Sequence, residues 1–342
     1  MKAAVWYGGK DIRIEDLPTP KIKDDEVLVR VKAVSICGSD LHAYRGVSKR
    51  RIPPLVMGHE FSGEIVKLGR TVNGLKEGER VVLEPVLSCG KCAMCQRGRS
   101  NICENIRLVG LHLSGAFSEY VPIPASKCHK LPDAVSFEEA SLVEPLAVAV
   151  HAVNLASLEK GEDIGILGSG AVGLMTLQVV NNIGAEKLFA IDTLEYRLEL
   201  AKKLGATTTI NGKKEDPIKE VLAHGGVNTV FEAVGHQKTV QQALSMVRKG
   251  GKVVIIGMLE AIMELDMLDV TVKEIQIRGS YGYTTKDFKQ ALNLIVSKKV
   301  NVKPLITHVL PLNNIVKGFD ILAEGKEKVI KVILKPYLLQ SR

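Results

Sequence analysis

The spacing of hydrophobic positions divides the chain into two regions. In the first third, short apolar or alternating runs are separated by glycine, proline and paired aspartates; they are AAVWY, EVLVRVKAVSI and, at residues 78–84, GERVVLE. These runs have the composition of strands, and helical spacing is scarce among them. The pattern predicts a compact β-barrel or β-sandwich over the first third of the chain.

The pattern changes near residue 137, where FEEASLVEPLAVAVHAV has helical periodicity. Apolar runs then alternate with helical segments: DIGILG with AVGLMTLQVVNNIG, KLFAID with LEYRLELAKKLGA, GVNTVFEAV with KTVQQALSMVRKGG, and finally KVVIIG and EIQIRGS. This alternation predicts βαβ units and a parallel sheet covered on both faces. From about residue 285 a last helix and the short strand KVILK close the chain.

The composition limits the class of protein. A length of 342 residues suits two domains, and a hydrophobic content of 46% excludes wholesale disorder. The net charge of +8 suits an anionic cofactor, but the basic residues form no block with interleaved aromatics, which disfavours nucleic-acid binding. The start, MKAAVWYGGK, has no apolar signal core, and no run of 18 apolar residues exists. We therefore expect a cytoplasmic protein with no membrane span.

Four of the six cysteines form one cluster with the spacing C-x2-C-x2-C-x7-C. They are Cys89, Cys92, Cys95 and Cys103. Four thiolates within 15 residues can close a tetrahedral shell around one Zn²⁺, and a closed shell supports structure rather than reaction. The alternative is a set of free thiols or redox pairs. The cluster predicts a structural zinc site, so any chemistry lies elsewhere.

A glycine-rich turn follows the strand GILG and opens a helix. It reads Gly168-Ser169-Gly170-Ala171-Val172-Gly173. In this context the glycines allow a tight turn, the approach of a pyrophosphate and close packing of the helix on the strand. Asp192 ends the next strand, where a carboxylate accepts hydrogen bonds from an adenosine ribose and repels a 2′-phosphate, and Arg197 is placed to cover the adenine. The alternative is a purely structural glycine-rich turn in another kind of α/β protein, with Asp192 capping a helix.

These observations predict NAD binding in preference to NADP. The predicted cofactor-binding residues are Gly168, Gly170, Val172, Gly173, Asp192 and Arg197.

A second set of zinc-binding residue types is dispersed along the chain. Cys37 lies in CGSDLH, His59 and Glu60 lie in GHEFSG, and Glu144 lies in VEPL. One thiolate, one imidazole and one or two carboxylates suit a catalytic zinc with an open position. Taken singly, Cys37 reads as a small buried hydrophobe, His59 as a core histidine and Glu144 as a first-turn acid. Spacing alone therefore does not establish this site.

The motifs together carry a family resemblance that covers the whole chain. The run Gly58-His59-Glu60-x-x-Gly63, with Gly69 and Val72 following, resembles the signature of zinc-containing medium-chain alcohol dehydrogenases. The CGSD run, the four-cysteine lobe and the glycine-rich turn occur in that family's order. The segment VEPL further resembles the polyol branch, which includes sorbitol, threonine and butanediol dehydrogenases.

The resemblance implies an α/β fold with two domains. A GroES-like, β-rich catalytic domain would span 1–145 with the zinc lobe at 89–103, and a doubly wound Rossmann domain would span 146–281. Residues 282–342 would return to the catalytic domain. The family commonly pairs Rossmann sheets edge to edge, so we expect a homodimer or homotetramer that uses the apolar region 253–280.

The resemblance also implies an activity, with a hydride passing from a secondary alcohol, diol or polyol to NAD⁺. Two Zn²⁺ ions per chain are implied, one structural and one catalytic. The catalytic ligands match Cys37, His59 and Glu60, with Glu144 either joining the zinc or holding its water. Ser39 and His42 match the family's proton relay; alternatively, Ser39 caps a helix beginning near Asp40, and His42 lies on its surface.

The chain departs from sorbitol dehydrogenases in the expected substrate pocket. Ala43, followed by Tyr44, stands where those enzymes carry a tyrosine, and Gly282-Tyr283 stands where they carry Arg-Tyr. The missing arginine removes a donor fork for a polyhydroxylated substrate. No residue is evident for the carboxylate of threonine.

Two alternatives belong to other classes. A zinc-free quinone or enoyl reductase of the same fold would lack the pair Cys37 and His59. A non-catalytic, nucleic-acid-binding zinc protein would usually pair two C-x2-C knuckles, whereas this cluster is contiguous.

Overall fold

The computed structural model describes residues 1–48, 50–325 and 327–337. The chain forms two compact units. Unit 1 comprises Met1–Glu144, Thr284–Val296 and Val302–Arg342, and unit 2 comprises Pro145–Tyr283 and Ser297–Asn301.

Unit 1 is mainly β-structure. From the N-terminus its elements are β1 (Lys2–Gly8), β2 (Asp11–Asp16), β3 (Glu26–Ser35), α1 (Gly38–Tyr44), β4 (Leu55–Val56), β5 (Glu60–Leu68), β6 (Arg80–Leu83), β7 (Val86–Leu87), α2 (Ala93–Gln96), β8 (Arg107–Leu108), β9 (Tyr120–Pro124), β10 (Cys128–Lys130) and α3 (Phe137–Ser141).

Unit 2 alternates strands and helices. Helix α4 (Val143–Ala156) begins in unit 1 and belongs to unit 2 from Pro145 onward. The other elements of unit 2 are β11 (Ile164–Leu167), α5 (Ala171–Ile183), β12 (Leu188–Asp192), α6 (Glu195–Lys203), β13 (Thr208–Asn211), α7 (Pro217–Ala223), β14 (Val227–Glu232), α8 (Gln237–Met246), β15 (Val247–Ile255), α9 (Met267–Val272) and β16 (Gln276–Gly279). The chain then adds α10 (Thr285–Val296), β17 (Ile306–Pro311), α11 (Ile315–Glu324) and β18 (Lys331–Lys335), all of which lie in unit 1.

The sheet of unit 2 has six parallel strands in the order β13-β12-β11-β14-β15-β16. Numbered along the chain, this order is 3-2-1-4-5-6, which is that of dinucleotide-binding folds. Strands β11 and β12 are buried at every position, as covering on both faces requires. The parallel sheet predicted from the alternating pattern is present.

The larger sheet of unit 1 has the order β10-β6-β5-β3-β18-β17, with β9 also paired to β3. β3 pairs with β5 on one side and with the late strand β18 on the other. In this register Ser35 lies opposite both Glu60 and Ile333. The sheet therefore brings the ends of β3, β5 and β18 together at one place.

Several elements differ from the sequence-based expectation. The helical pattern over FEEASLVEPLAVAVHAV is divided between α3 and α4, and α8 ends at Met246 because the next residues join strand β15. The sequence pattern did not identify the strands β4, β5, β7, β8, β9 and β10 individually, nor β13, α7, α9, β17 or α11. β13 is short and reads TTIN, so it lacks the apolar run by which its neighbours were recognised.

Candidate metal and dinucleotide sites

The structure brings Cys37, His59 and Glu60 together. One ligand atom of each residue lies within 4.8 Å of the other two. Cys37 is the residue before the first turn of α1, whereas His59 and Glu60 stand where β5 begins. His59 and Glu60 are buried, and Cys37 is half-buried. The three dispersed residues thus form one potential metal-binding group.

Glu60 is held by a buried lysine. The Nζ of Lys331, on β18, donates to Oε2 of Glu60 and lies 3.3 Å from both Ser35 Oγ and the carbonyl oxygen of Ile36. Burial alone would lower the pKa of Lys331, but the negative charges of Glu60 and Cys37 outweigh it and raise that pKa. Oε1 of Glu60 is buried and has no hydrogen-bond partner among the described residues. A buried carboxylate oxygen of this kind fits a metal ligand.

Asp40 supports the other two members of the group. Its Oδ2 accepts a hydrogen bond of 3.1 Å from the backbone N–H of Cys37, and its Oδ1 lies 3.5 Å from Nδ1 of His59. Burial would lower the pKa of His59, but the negative charges of Asp40 and Cys37 raise it well above its usual value. The same negative surroundings favour a bound cation. Nδ1 of His59 is buried and has no hydrogen-bond partner among the described residues, and the carboxylate of Asp40 is the charged group that faces it. A carboxylate in this position favours a ring orientation in which the other nitrogen faces the metal.

A second buried cation, Arg51, contacts the same oxygen of Asp40 that faces His59. Its Nη2 donates to Oδ1 of Asp40 at 2.6 Å, and only 2% of its side-chain surface is exposed. Burial would raise the pKa of Asp40, but the positive charges of His59 and Arg51 outweigh it and lower that pKa. Sequence reasoning missed both Arg51 and Lys331 because a single basic residue among many carries no pattern.

Glu144 stands in the first turn of α4 and is 7% exposed. Its charge contributes to raising the pKa of Lys331, so it lies in the electrostatic neighbourhood of Glu60. Within the described chain, the close group of potential ligands contains Cys37, His59 and Glu60 without Glu144.

Ser39 and His42 both lie on α1 and are half-buried. The helix begins at Gly38 with Cys37 in the N-cap position, so Ser39 is not the cap that the alternative interpretation required. Its hydroxyl oxygen instead accepts a hydrogen bond of 3.2 Å from Nη2 of Arg51. Burial, with the positive charges of Arg45 and Arg51, lowers the pKa of His42.

Tyr44 belongs to the core of unit 1. Its ring stacks on Phe319 with the ring centroids 4.7 Å apart, and its hydroxyl donates to Asp320 at 2.8 Å. Burial and this hydrogen bond raise the pKa of Tyr44 to about 12. Tyr44 therefore does not replace the pocket tyrosine of sorbitol dehydrogenases.

The four clustered cysteines surround one point. Their sulfur atoms all lie within 4.8 Å of one another, with Cys89 and Cys103 separated by 3.5 Å and Cys92 and Cys103 by 3.8 Å. A tetrahedral zinc site with Zn–S bonds of about 2.3 Å requires sulfur separations of about 3.8 Å. Backbone N–H groups of Lys91 and Cys92 lower the pKa of Cys89 to about 6, which favours the thiolate. The donor set fits a closed zinc site.

The glycine-rich turn joins β11 to α5. Gly168 has φ of +92°, and a Cβ on Gly173 would lie 1.8 Å from the carbonyl oxygen of Gly168. Both positions therefore require glycine, one for its backbone angle and one for close packing. Gly170 precedes the first residue of α5, and a Cβ there would meet only Arg197 Nη1, at 3.9 Å. Val172 is half-buried in the first turn of α5.

Asp192 ends β12 beside this turn and is 9% exposed. Its Oδ2 accepts a hydrogen bond of 2.8 Å from the backbone N–H of Ser169, and its Oδ1 accepts from Thr193 N at 2.7 Å and Leu194 N at 3.0 Å. Nη1 of Arg197 lies 3.4 Å from Oδ2 of Asp192. Asp192 thus organises the turn, but it does not cap a helix as the alternative required, because the N-cap of α6 is Leu194 and has no side-chain cap. It stands at the strand end where the cofactor ribose binds in such folds.

Comparisons with known proteins identify the family. Residues 23–133 match the alcohol dehydrogenase GroES-like domain, and residues 171–297 match the zinc-binding dehydrogenase domain. No helix in the described part of the chain is long and apolar enough to cross a bilayer.

Individual relatives extend over the whole chain. An L-threonine 3-dehydrogenase of Bacillus licheniformis is 39% identical over 98% of this chain and 99% of its own length. A sorbitol dehydrogenase of Bacillus subtilis is 36% identical over 98% and 97%. The structure of a zinc-binding dehydrogenase from Sinorhizobium meliloti, bound to NADP, superposes with a TM-score of 0.92 at 30% identity over 98% and 99% of the two chains.

These matches confirm the predicted family and its α/β combination of a GroES-like domain with a nucleotide-binding domain. The chain belongs to the zinc-containing alcohol dehydrogenases, in the branch that includes threonine and sorbitol dehydrogenases, and it is an oxidoreductase acting on alcohols.

Proposed function

We propose that this enzyme transfers a hydride from a secondary alcohol, diol or polyol to NAD⁺ at a zinc ion held by Cys37, His59 and Glu60. The observation that carries the proposal is the convergence of these three side chains, with ligand atoms within 4.8 Å of one another, in a chain of the zinc dehydrogenase family. Glu144 would join the metal or hold its water. The four cysteines of the lobe would hold a second, structural zinc.

A Zn²⁺ ion at this site would act as a Lewis acid and lower the pKa of a bound hydroxyl group. The chain's own residues do the rest. Lys331 holds Oε2 of Glu60, which leaves Oε1 for the metal. Asp40 orients His59, and Ser39 and His42 carry the proton toward solvent. The lowered pKa of His42 keeps its imidazole neutral, and hence able to accept a proton, at neutral pH.

We propose NAD as the cofactor in preference to NADP. Asp192 supports this choice because its carboxylate repels a 2′-phosphate. The relative from Sinorhizobium meliloti was solved with NADP, and Arg197, beside Asp192, is a residue type that suits a 2′-phosphate. Comparing kcat/KM for the two cofactors tests the proposal, and a preference for NADP⁺ would contradict it.

Catalysis and cofactor binding are assigned to different parts of the chain. We propose residues 1–145 and 282–342 as the catalytic domain and 146–281 as the NAD-binding domain; the limits of the compact units support this division. We further propose a cytoplasmic homodimer or homotetramer.

The substrate proposal is limited to secondary alcohols, diols and polyols. Relatives include a threonine and a sorbitol dehydrogenase. However, Tyr44 lies in the core of this chain, and Gly282 stands where the family resemblance places an arginine of sorbitol dehydrogenases. The test is NAD⁺ reduction over a panel of diols, polyols and L-threonine. If no alcohol reduces either nicotinamide cofactor, the proposed function is wrong.

Two variants separate the metals. Cys37→Ser should lower the metal content from two ions per chain to one and abolish turnover while sparing the fold. Cys92→Ser should instead destabilise the lobe 89–103, because structural zinc contributes folding energy. Cys128→Ser, at the other cysteine outside the lobe, is the control. Two metals per chain in Cys37→Ser would contradict the assignment, and full activity after metal removal would favour a zinc-free reductase.

A further inference from the structure

Arg51 is buried and makes several specific hydrogen bonds, whereas the adjacent Arg50 is exposed. Its Nη1 donates to the carbonyl oxygen of Ser39 at 2.8 Å, and its Nη2 donates to Ser39 Oγ at 3.2 Å and Asp40 Oδ1 at 2.6 Å. Its Nε donates to the carbonyl oxygen of Gly110 at 3.3 Å. One buried guanidinium thus holds two consecutive residues of α1 and a distant loop.

We propose that Arg51 is a positioning residue that acts at once on the metal ligands, through Asp40, and on the proton relay, through Ser39. This inference rests on the proposed function, which supplies the roles of the metal ligands and of Ser39. Arg51 lies outside the potential ligand group and is not a catalytic residue itself.

The contact with Asp40 concerns the metal ligands. Asp40 is fully buried, holds the backbone N–H of Cys37 and faces Nδ1 of His59. Arg51 balances this carboxylate and restrains its Oδ1, so that Asp40 orients the imidazole. Residues that support metal ligands in this way typically change metal affinity by about 10- to 100-fold when they are replaced.

The contacts with Ser39 concern the relay. Because Nη2 of Arg51 donates into Ser39 Oγ, one acceptor position of that oxygen is occupied, and the hydroxyl proton must point away from Arg51. Nη1 also holds the backbone of the same residue. A lysine could balance Asp40, but its single ammonium group lacks the planar fork that reaches Ser39 and Gly110 simultaneously.

The two contacts predict different results for two replacements. Arg51→Met removes the charge and should weaken metal binding by about tenfold or more. Arg51→Lys keeps the charge, so metal affinity should stay close to that of the wild type, while kcat falls by about tenfold with little change in KM. Arg50→Met, at the adjacent exposed arginine, is the matched control and should change neither quantity.

Metal binding is measured independently of activity. Protein loaded with Co²⁺ is titrated with a chelator, and the absorbance of the catalytic site is isolated by subtracting the spectrum of Cys37→Ser. Arg51→Met should shift this difference spectrum as well as weaken binding. A residue that only braced the loop would lower the unfolding temperature and leave the spectrum, the affinity and the ratio of kcat to KM unchanged.

A double-mutant comparison tests the action through Ser39. In a Ser39→Ala background, Arg51→Lys should cause little further loss of kcat, because the contact is already absent. Full additivity of the two losses would overturn the relay part, and wild-type metal affinity and spectrum in folded Arg51→Met would overturn the metal part. An inactive wild type would instead refute the proposed function. The metal part of the inference could still be tested in that case, because the metal affinity and spectrum of Arg51→Met are measured without turnover.

Discussion

Charged side chains that are buried in this protein are held by specific partners. Glu84, which is 1% exposed, accepts hydrogen bonds from Lys127 Nζ at 2.6 Å and Thr285 Oγ1 at 2.8 Å. Burial would raise the pKa of Glu84. The hydrogen bond with His129, the positive charge of Lys127 and the hydrogen bonds from Lys127 and Thr285 outweigh burial and lower that pKa. Glu84 thereby links β6 to β10 and to the start of α10, which returns to unit 1 late in the chain.

Replacing Glu84 with glutamine should reduce the free energy of unfolding by about 2 kcal/mol at neutral pH, because a charged hydrogen-bonded pair is lost. Since folding lowers the pKa of Glu84, its contribution is complete above the usual glutamate pKa, about 4.5, and disappears as pH falls through the lower folded value. Urea unfolding from neutral pH down to about pH 3 should show the wild type converging on Glu84→Gln. The exposed Glu77→Gln is the control, and a pH-independent gap would contradict this account.

His42 is predicted to accept the proton from the relay. His42→Ala should lower kcat by about tenfold near neutral pH. The deficit should shrink as pH rises, because hydroxide in solvent replaces the missing base. The measurement is the pH–rate profile, with the exposed His112→Ala as control. An unchanged profile and unchanged turnover would exclude the relay role.

At the scale of elements, strand register assembles the metal site. β3 passes between β5 and β18, so residues far apart in the sequence meet where these strands end. The pairing of β3 with β5 requires close backbone contact at Gly63, which lies opposite Val31. A Cβ on Gly63 would lie 2.1 Å from the carbonyl oxygen of Arg30. The glycine of the family signature therefore has a packing role beside the ligands.

Gly63→Ala should destabilise the fold by about 3 kcal/mol, because the strands must separate to accept a methyl group. Metal retention at the site of His59 and Glu60 should fall with it, since Glu60 begins β5 and His59 immediately precedes it. Denaturant unfolding and metal content measure the two effects. Gly279→Ala is the control, because a Cβ there meets nothing within 4 Å; equal stability of the two variants would refute the packing argument.

At the scale of the whole molecule, the chemistry is divided between the two compact units. The potential metal ligands lie in unit 1, and the glycine-rich turn and Asp192 lie in unit 2. Unit 2 also exposes large apolar side chains on β16, which is an edge strand of its sheet, and in the segment 262–272 that precedes it. Its exposed residues include Ile262, Leu268, Val272 and Ile277. An apolar surface beside an open strand edge favours association between copies.

We therefore expect light scattering to give the mass of a dimer or tetramer. Ile277→Lys, on the edge strand, should lower that mass by placing a charge in the interface. Val316→Lys, at an exposed apolar position of unit 1, should leave the mass unchanged. A monomeric wild type would contradict the expectation.

Local sequence patterns predict much of the architecture of this protein. The parallel sheet followed from alternating apolar runs and helices, and the cysteine spacing and the glycine-rich turn are contiguous, so their geometry follows from local chain conformation. The sequence did not predict β13, α7, α9, β17 or α11, because a short or irregular hydrophobic pattern does not distinguish a strand from a helix or a loop. Only the resemblance to a family connected Cys37 with His59 and Glu60.

The sequence by itself determined the family, the alternation of strands and helices in unit 2 and the types of side chain available for metal and cofactor. Tertiary structure alone decided which charges surround those side chains. Lys331 and Glu60 are 271 residues apart in the sequence, yet they meet because only β3 lies between their strands in the sheet. Arg51 and Asp40 form an ion pair whose two side chains are both buried. Whether a charged side chain is buried, and which residue it pairs with, depend on contacts between distant parts of the chain, and a local sequence pattern does not contain that information.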